Sequence, residues 1–322
     1  EVLGALQSES AGLSVPEIMM RVNLSKDRIE KTVALLSLES PAAIVKQGAK
    51  WQLTAAQLSK NFWNRAERLT ALRQAEKSQM QSYAQLSSGH MEFLVRALDG
   101  DATNIKPPTL PPLPTNADPG EVQAAIEFLC RTNLPIEPRK QWPSGGLPQY
   151  NVSGNIPVTN RAQPGRALSV WGDAGWGGLV RAGKYHDGRF DDQLVSASAT
   201  LVRDWKPTPP LGWVTCVPSL NHPDLVPDFA ARLAHALKLP FYAILRKTDD
   251  RPAQKTMANS SKQALNLDGS LALDGTVPTS SVLLVDDMVD SRWTLTVSAW
   301  LLLQAGSGPV FPFALSIAGG GE

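Results

Sequence analysis

The C-terminal part of the chain combines short apolar runs with a segment of helical character. Residues 282–285 are apolar throughout, and two further apolar segments, 295–304 and 309–317, follow after a polar loop. Residues 282–285 and 309–317 are typical of strands buried on both faces. Residues 295–304 are typical of a helix, and Gly306 is placed as its C-cap glycine. The pattern predicts a strand, a loop, a helix and a strand.

A second unit of the same kind precedes it. Residues 213–219 are an apolar run that ends in a polar loop, and residues 227–237 carry Phe229, Leu233 and Leu237 at a spacing of four. Strands that alternate with helices are characteristic of an α/β domain with a mainly parallel sheet. We therefore predict such a domain over residues 161–322.

The N-terminal pattern is different. Helical periodicity covers residues 2–7, 15–22 and 26–38, and two short strand-like runs flank Gly48 within residues 43–54. Ser25 is placed as an N-cap for the third helix. Three helices followed by a hairpin predict a winged helix over residues 1–58.

The middle of the chain is predicted to connect these two parts. Linker helices are expected over residues 59–100, and a Pro/Gly-rich linker with a short helix over 101–160. The fold class that we predict is α+β multidomain, with a winged helix and helical linker before the α/β domain.

Composition narrows the classes of protein. The chain has 322 residues, of which 43% are hydrophobic and 19% charged, and its net charge is +1. Length suggests about two domains, and no run is long and apolar enough to span a membrane. The distant Cys130 and Cys216 favour a reduced cytoplasm, with no metal-ligand spacing. Without a secretory segment or a starting methionine, the chain is expected to be part of a longer cytoplasmic protein.

A modest basic surface is predicted on the winged helix. Residues 21–50 contain six lysines and arginines and three acidic residues. This excess of positive charge suits contacts with DNA phosphates. The alternative is that this unit contacts proteins through ordinary surface lysines. The candidate DNA-binding residues are Arg21, Ser25, Lys26, Arg28, Lys31, Lys46 and Lys50.

The most informative loop follows residues 282–285. Asp286 and Asp287 stand at the end of the predicted strand, before a hydroxyl-rich turn and a helix start. Ligands of parallel sheets bind beyond the carboxyl ends of the strands, and paired carboxylates accept hydrogen bonds from vicinal ribose hydroxyls. A simple strand end with a polar turn is the alternative, which the complete strand, acid pair, turn and helix make less favourable.

This segment resembles the 5-phosphoribosyl-1-pyrophosphate (PRPP) motif of type I phosphoribosyltransferases, in the ComF-like branch. The resemblance implies that Asp286 and Asp287 bind ribose and that the next loop binds the 5-phosphate. That family usually has threonine and glycine in the loop, whereas this chain has Asp290, Arg292 and Trp293 there. These bulkier residues argue against catalytic transfer of phosphoribose. The implied PRPP or phosphate contacts are Asp286, Asp287, Asp290, Ser291, Arg292, Trp293, Thr294, Ser219, Asn221, His222 and Lys247. No catalytic or metal-ligating residue is assigned, and Mg²⁺ is expected only together with PRPP or a nucleotide.

The order of the parts is similar to the region that follows the motor of bacterial RecQ-type DNA helicases. Residues 68–76 and 90–94 contribute to this likeness, as do 139–143, 172–177 and 282–296. It implies a DNA repair and recombination role at the nucleoid, with duplex or junction DNA as the partner. A P-loop motif is absent from the sequence, so ATP would be used only by a motor N-terminal to Glu1. The family's four-cysteine zinc site has no counterpart near His90, and no structural zinc is expected.

Residues 172–178 form a Gly- and Trp-rich segment. Trp171 and Trp176 are interpreted either as a platform for an unstacked base or as filling between domains. Three functions remain open at this point. They are a DNA-binding accessory region of a helicase, an active phosphoribosyltransferase, and a non-catalytic module for nucleotide sensing or protein docking.

Overall fold

The computed structural model describes residues 1–105, 116–130, 133–249, 251–252 and 256–318. Its N-terminal unit has the predicted order of three helices and a hairpin. The elements are α1 (Val2–Gln7), α2 (Val15–Arg21), α3 (Lys26–Ser37), β1 (Ile44–Gln47) and β2 (Lys50–Leu53). The winged-helix name for this unit stays a prediction.

Local signals start two of these helices. Ser14 and Glu17 form a capping box at α2, and the Ser25 hydroxyl accepts a hydrogen bond from the backbone N–H of Arg28 at α3. Both devices satisfy N–H groups that the first turn of a helix leaves without partners. Leu13 pairs with Trp51 in an isolated β-bridge, which attaches the segment before α2 to the hairpin.

Helices connect the two parts of the chain. They are α4 (Lys60–Gln85), α5 (His90–Ala97) and α6 (Pro119–Leu129). The Asp118 carboxylate caps α6 by accepting from the N–H groups of Gly120 and Glu121. Most of the proline-rich stretch predicted to be an extended linker, residues 106–115, lies outside the described residues. None of the helices in the described ranges has both the length and the apolar character needed to cross a bilayer.

A five-stranded sheet organises the C-terminal part, with the order β3-β4-β9-β8-β5. The pairs β4–β9, β9–β8 and β8–β5 are parallel, and β3 is antiparallel to β4. A separate antiparallel pair, β6 with β7, lies outside this sheet. The strands are β3 (Leu134–Ile136), β4 (Gly165–Val170), β5 (Leu211–Cys216), β6 (Leu245–Lys247), β7 (Leu271–Leu273), β8 (Ser281–Val289) and β9 (Val310–Ile317).

Helices cover both faces of this sheet. The remaining helices are α7 (Trp176–Ala182), α8 (Asp192–Trp205), α9 (Leu225–Leu237), α10 (Ser260–Leu265) and α11 (Trp293–Gln304). Leu283 and Val285 of β8 pack in the cluster formed with α7, α8 and α9. Val282 and Leu284 pack in the cluster that includes α11. Since alternate residues of a strand face opposite sides, β8 is buried on both faces, as its continuous apolar run predicts.

The ends of two elements and one boundary between parts of the chain differ from the sequence-based expectation. β8 does not end before the acid pair but continues to Val289, because pairing with β9 continues from Asp286 opposite Ala314 to Val289 opposite Ile317. Helix α11 begins earlier than predicted, at Trp293. The range assigned to the Pro/Gly-rich linker contains β3, which pairs with β4 at the edge of the sheet. The packed unit therefore includes residues before 161.

A buried asparagine joins the N-terminal unit to the C-terminal part. The Asn259 amide nitrogen lies 3.2, 3.1 and 2.8 Å from the carbonyl oxygens of Met19, Val22 and Leu24, at the turn between α2 and α3. Its Oδ1 accepts from the N–H of Lys262 at 2.9 Å and so caps α10. One side chain thus fixes a helix start and the attachment of α2 and α3.

We expect Asn259→Ala to lower the free energy of unfolding of the full chain by about 1–3 kcal/mol, because buried carbonyl groups lose their donor and α10 loses its cap. Urea unfolding measures the change. Asn155→Ala is the matched control, since this exposed asparagine accepts a side-chain hydrogen bond from Gln141 and its loss should cost less than about 0.5 kcal/mol. Equal stability of the two variants would contradict the assigned role of Asn259.

Candidate functional site

A cleft of about 280 Å³ lies at the carboxyl ends of β5 and β8. Its lining residues come from five separate segments of the C-terminal part. The residues predicted as sugar-phosphate contacts that line it are Ser219, Asn221, His222, Lys247, Asp286, Asp287, Asp290, Ser291, Arg292 and Thr294. The structure therefore brings together all but one of the residues predicted for this site.

The acid pair occupies the end of β8. Asp286 is only 8% exposed, and its Oδ1 accepts a hydrogen bond of 2.8 Å from the backbone N–H of Asp287. Burial and then the adjacent Asp287 carboxylate raise the pKa of Asp286 to about 8, against the smaller opposing effects of that N–H group and of Lys184 and Lys247. Asp286 therefore holds its proton at neutral pH unless a ligand or cation supplies positive charge.

Lys184, which is not among the residues predicted for this site, forms an ion pair with the second acid. Lys184 Nζ lies 2.7 Å from Asp287 Oδ2, and both side chains are largely buried, at 16% and 13% exposure. Lys184 belongs to a π-helical turn, Gly183–Asp187, that follows α7. Asp287 lies on the same face of β8 as Leu283 and Val285, which is the face covered by α7. Lys184 reaches it from that layer of helices. Extra residues in π-helical turns are frequent at functional sites.

The loop after β8 has an unusual backbone. Arg292, at the N-cap of α11, has φ +69°, in the left-handed region that favours glycine. The motif that this segment resembles usually has glycine in this loop, and the arginine here adopts the same left-handed bend while adding a large cationic side chain. Asp290 is exposed, and its Oδ2 accepts from Gln263 of α10 at 2.9 Å. This contact holds an acid on the rim that would repel a phosphate.

Trp293 is the exception among the predicted contacts. Its indole is 2% exposed and lies near-parallel to the Trp142 ring, with centroids 6.4 Å apart. The Trp293 Nε1 donates to Ser260 Oγ at 2.8 Å, and the Arg139 guanidinium lies 3.9 Å from its ring centroid. The Trp293 side chain lies outside the lining of the cleft, because the first turn of α11 directs it into the core, and its contact with a ligand stays a prediction.

Arg139 supports the loop after β8 from the side of α10. Its Nε donates to the carbonyl oxygen of Ser291 at 2.8 Å, and its Nη2 donates to Ser260 Oγ at 3.0 Å. The loop is thus tied to α10 and to the segment before β4. Sequence spacing offered no signal for this contact, since Arg139 lies in an irregular segment far from the loop.

The other wall of the cleft comes from the loop after β5 and from β6. The backbone N–H of His222 donates to Ser219 Oγ at 3.3 Å, which closes a turn, and Asn221 is exposed. Lys247 ends β6 opposite Leu271 of β7. Lys247 therefore lies in a paired strand, whereas the sequence suggested a polar, irregular segment over the site.

The residues predicted to contact DNA lie apart from this cleft, on the N-terminal unit. Several of them have acidic partners within that unit: Arg21 with Glu9, Lys26 with Glu30, Lys31 with Asp27, and Lys50 with Glu17. Lys46 lies 5.6 Å from the Trp51 ring centroid, and the Ser25 hydroxyl caps α3. Arg28 is exposed on α3 beside Lys26 and Lys31. The positive field of this surface is accordingly modest.

The two tryptophans of the Gly-rich segment have separate surroundings. Trp176 Nε1 donates to the Cys130 carbonyl oxygen at 2.8 Å, which ties α7 to the end of α6. Trp171 instead contacts Tyr185, with ring centroids 5.8 Å apart. Of the two alternatives for this segment, Trp176 fits the packing role, whereas Trp171 lies next to the π-helical turn.

Solved structures provide the comparison with known proteins. Part of the chain is similar to a phosphoribosyltransferase structure. A purine phosphoribosyltransferase from Pyrococcus horikoshii Ot3 is 20% identical, over 39% of this chain and 71% of that chain, with a TM-score of 0.26. A hypothetical protein from Neisseria gonorrhoeae with bound ppGpp is 16% identical, over 43% and 73%, with a TM-score of 0.26. No family model and no curated protein matches.

The raised pKa of Asp286 predicts a pH-dependent stability. The folded state keeps the Asp286 proton over a range in which the unfolded chain has lost it, so the wild-type free energy of unfolding falls as pH rises from the ordinary Asp range to about 8. Asp286→Asn resembles the protonated form and lacks this loss.

We expect the stability of Asp286→Asn relative to wild type to increase across this window and then to level off. Urea unfolding of both proteins at a series of pH values measures it. Asp274→Asn, at an exposed carboxyl outside the cleft, controls for a change of net charge. A pH-independent difference between wild type and Asp286→Asn would show that Asp286 is ionised throughout.

Proposed function

We propose that the cleft binds a phosphorylated ribose, as PRPP or as a nucleotide. One observation supports this most directly. The acid pair on β8 lies in one cleft with the hydroxyl groups of Ser291 and Thr294 at the start of α11 and the loop after β5. Acceptors for sugar hydroxyls and donors for phosphate are thus side by side at the carboxyl edge of a parallel sheet.

Each group has a role in this proposal. Asp286 and Asp287 accept hydrogen bonds from the vicinal ribose hydroxyls, and the ion pair with Lys184 orients the Asp287 carboxylate. Ser291, Arg292 and Thr294 contact the 5-phosphate. The loop after β5 contacts the pyrophosphate, or the group that replaces it, with the polar side chains Ser219, Asn221 and His222, together with Lys247 of β6.

The donor set also fits Mg²⁺ bound together with the ligand. Magnesium is typically held by one or two carboxylates and by substrate phosphates, with several waters retained. Asp286 and Asp287 would supply the carboxylates. Because Asp287 is already paired with Lys184, we propose that Mg²⁺ enters with the ligand and does not occupy the acid pair alone.

Binding without turnover is the form of this function that we favour. Arg292 stands where the related enzymes usually have glycine, and its side chain occupies part of the cleft wall. Asp290, fixed by Gln263, adds a negative charge near the phosphate position. These features suit a module that senses a nucleotide or docks a partner, and active transfer of phosphoribose to a nitrogen nucleophile is the alternative.

Calorimetric titration of PRPP with Mg²⁺ into the full chain tests the proposal. We expect wild-type binding and at least a tenfold loss of affinity in Asp287→Asn, because a charge-assisted hydrogen bond is worth about 1.5–3 kcal/mol. Asp274→Asn should bind as wild type. Binding that is equal in all three proteins would place the sugar elsewhere, and absence of wild-type binding to PRPP and to nucleotides would refute the proposal.

We propose as a second function that residues 1–58 form a winged helix that contacts duplex DNA, in the C-terminal accessory region of a RecQ-type repair helicase. The order of helices and hairpin and the bridge from Leu13 to Trp51 favour it. The exposed face of α3 carries Lys26, Arg28 and Lys31. Their acidic neighbours limit the expected affinity.

Replacement of Lys26, Arg28 and Lys31 by alanine should weaken duplex binding at every sequence. The slope of log K against log salt should fall by about 0.9 for each phosphate contact that is lost. Fluorescence anisotropy at several salt concentrations measures both quantities. Lys60→Ala, at an exposed lysine that begins α4, is the control. Unchanged affinity and slope in the triple variant would remove α3 from any DNA contact.

A further inference from the structure

The cleft has an aromatic rim that the proposed ribose and phosphate contacts leave unused. Tyr185 lines the cleft and is 54% exposed. Its ring meets the Trp171 ring edge to face, at 84° and with centroids 5.8 Å apart. Such a contact restrains an aromatic side chain while more than half of its surface stays open to a ligand.

The position of Tyr185 is set by the acid pair. Tyr185 directly follows Lys184, whose Nζ binds Asp287 and also lies 6.0 Å from the Trp171 ring centroid. Adjacent Cα atoms are about 3.8 Å apart, so the tyrosine is anchored immediately beside the group proposed to hold the ribose. The π-helical turn Gly183–Asp187 brings both residues to the mouth of the cleft.

The two ends of the cleft lie over opposite faces of the sheet. The loop after β8 leads to α11, which packs on the face with Val282 and Leu284. Tyr185 follows α7, which packs with Leu283 and Val285 on the other face. A ribose at the acid pair with its 5-phosphate at the α11 end therefore directs its C1′ substituent toward the α7 end.

We propose that Tyr185, supported by Trp171, stacks on the base of a nucleoside 5′-phosphate held in this cleft. This inference rests on the proposed ribose phosphate site and specifies its ligand as a nucleotide. Stacking on an aromatic ring tolerates every base, since each base has a π-face. The larger surface of a purine favours purine over pyrimidine nucleotides.

Titration of AMP and of ribose 5-phosphate into the full chain tests this inference, because the two ligands differ only by the base. We expect wild type to bind AMP about 5- to 150-fold more tightly than ribose 5-phosphate, the range that base stacking of about 1–3 kcal/mol gives. Tyr185→Ala should lose that advantage and keep its affinity for ribose 5-phosphate. Tyr185→Phe should retain it. Tyr242→Ala is the matched control, a tyrosine that is 45% exposed and contacts Trp213 instead.

The outcomes separate this inference from the proposal on which it depends. Equal AMP affinity in wild type and Tyr185→Ala would overturn the stacking role and leave the ribose phosphate site standing. An equal loss of affinity for AMP and for ribose 5-phosphate in Tyr185→Ala would show that Tyr185 supports the structure of the cleft and does not contact the base. That result would also overturn the stacking role. If wild type binds neither ligand nor PRPP, the site itself fails. A higher affinity for AMP than for CMP, lost in Tyr185→Ala, supports a purine preference.

Discussion

Burial of β8 on both faces is the constraint on which the C-terminal part depends. Its alternate side chains enter two cores, one with α7 to α9 and one with α11. Each buried apolar side chain contributes about 1.5–3 kcal/mol, so the strand is held in one register between β5 and β9. Asp286 and Asp287 directly follow the apolar run of β8, where the strand reaches the cleft.

The same constraint explains the electrostatics of the cleft. Asp286 is close enough to the core that desolvation opposes its charge, whereas Asp287 faces the helical layer that supplies Lys184. Two adjacent carboxyl groups therefore have different environments: one favours the protonated form, and the other has a cation beside it.

Helix α10 connects the cleft with the rest of the chain. Asn259 at its start binds the turn between α2 and α3, Ser260 binds Trp293 and Arg139, and Gln263 binds Asp290. The loop after β8 and the N-terminal helices therefore both contact one short helix. Side-chain hydrogen bonds hold α10 to these segments. The loss of a partner from such a bond lowers stability, because a buried polar group is then left unsatisfied.

Periodicity and residue type in the sequence determined the strand, acid pair, loop and helix around Asp286, because burial on both faces requires a continuous apolar run and because turn chemistry is local. They also determined the three N-terminal helices and the hairpin. Tertiary structure alone decided that Lys184 pairs with Asp287, that Arg139 supports Ser291, and that Trp293 lies in the core. Those outcomes depend on contacts between segments distant in sequence and on the direction of one helical turn, and neither leaves a periodic signal along the chain.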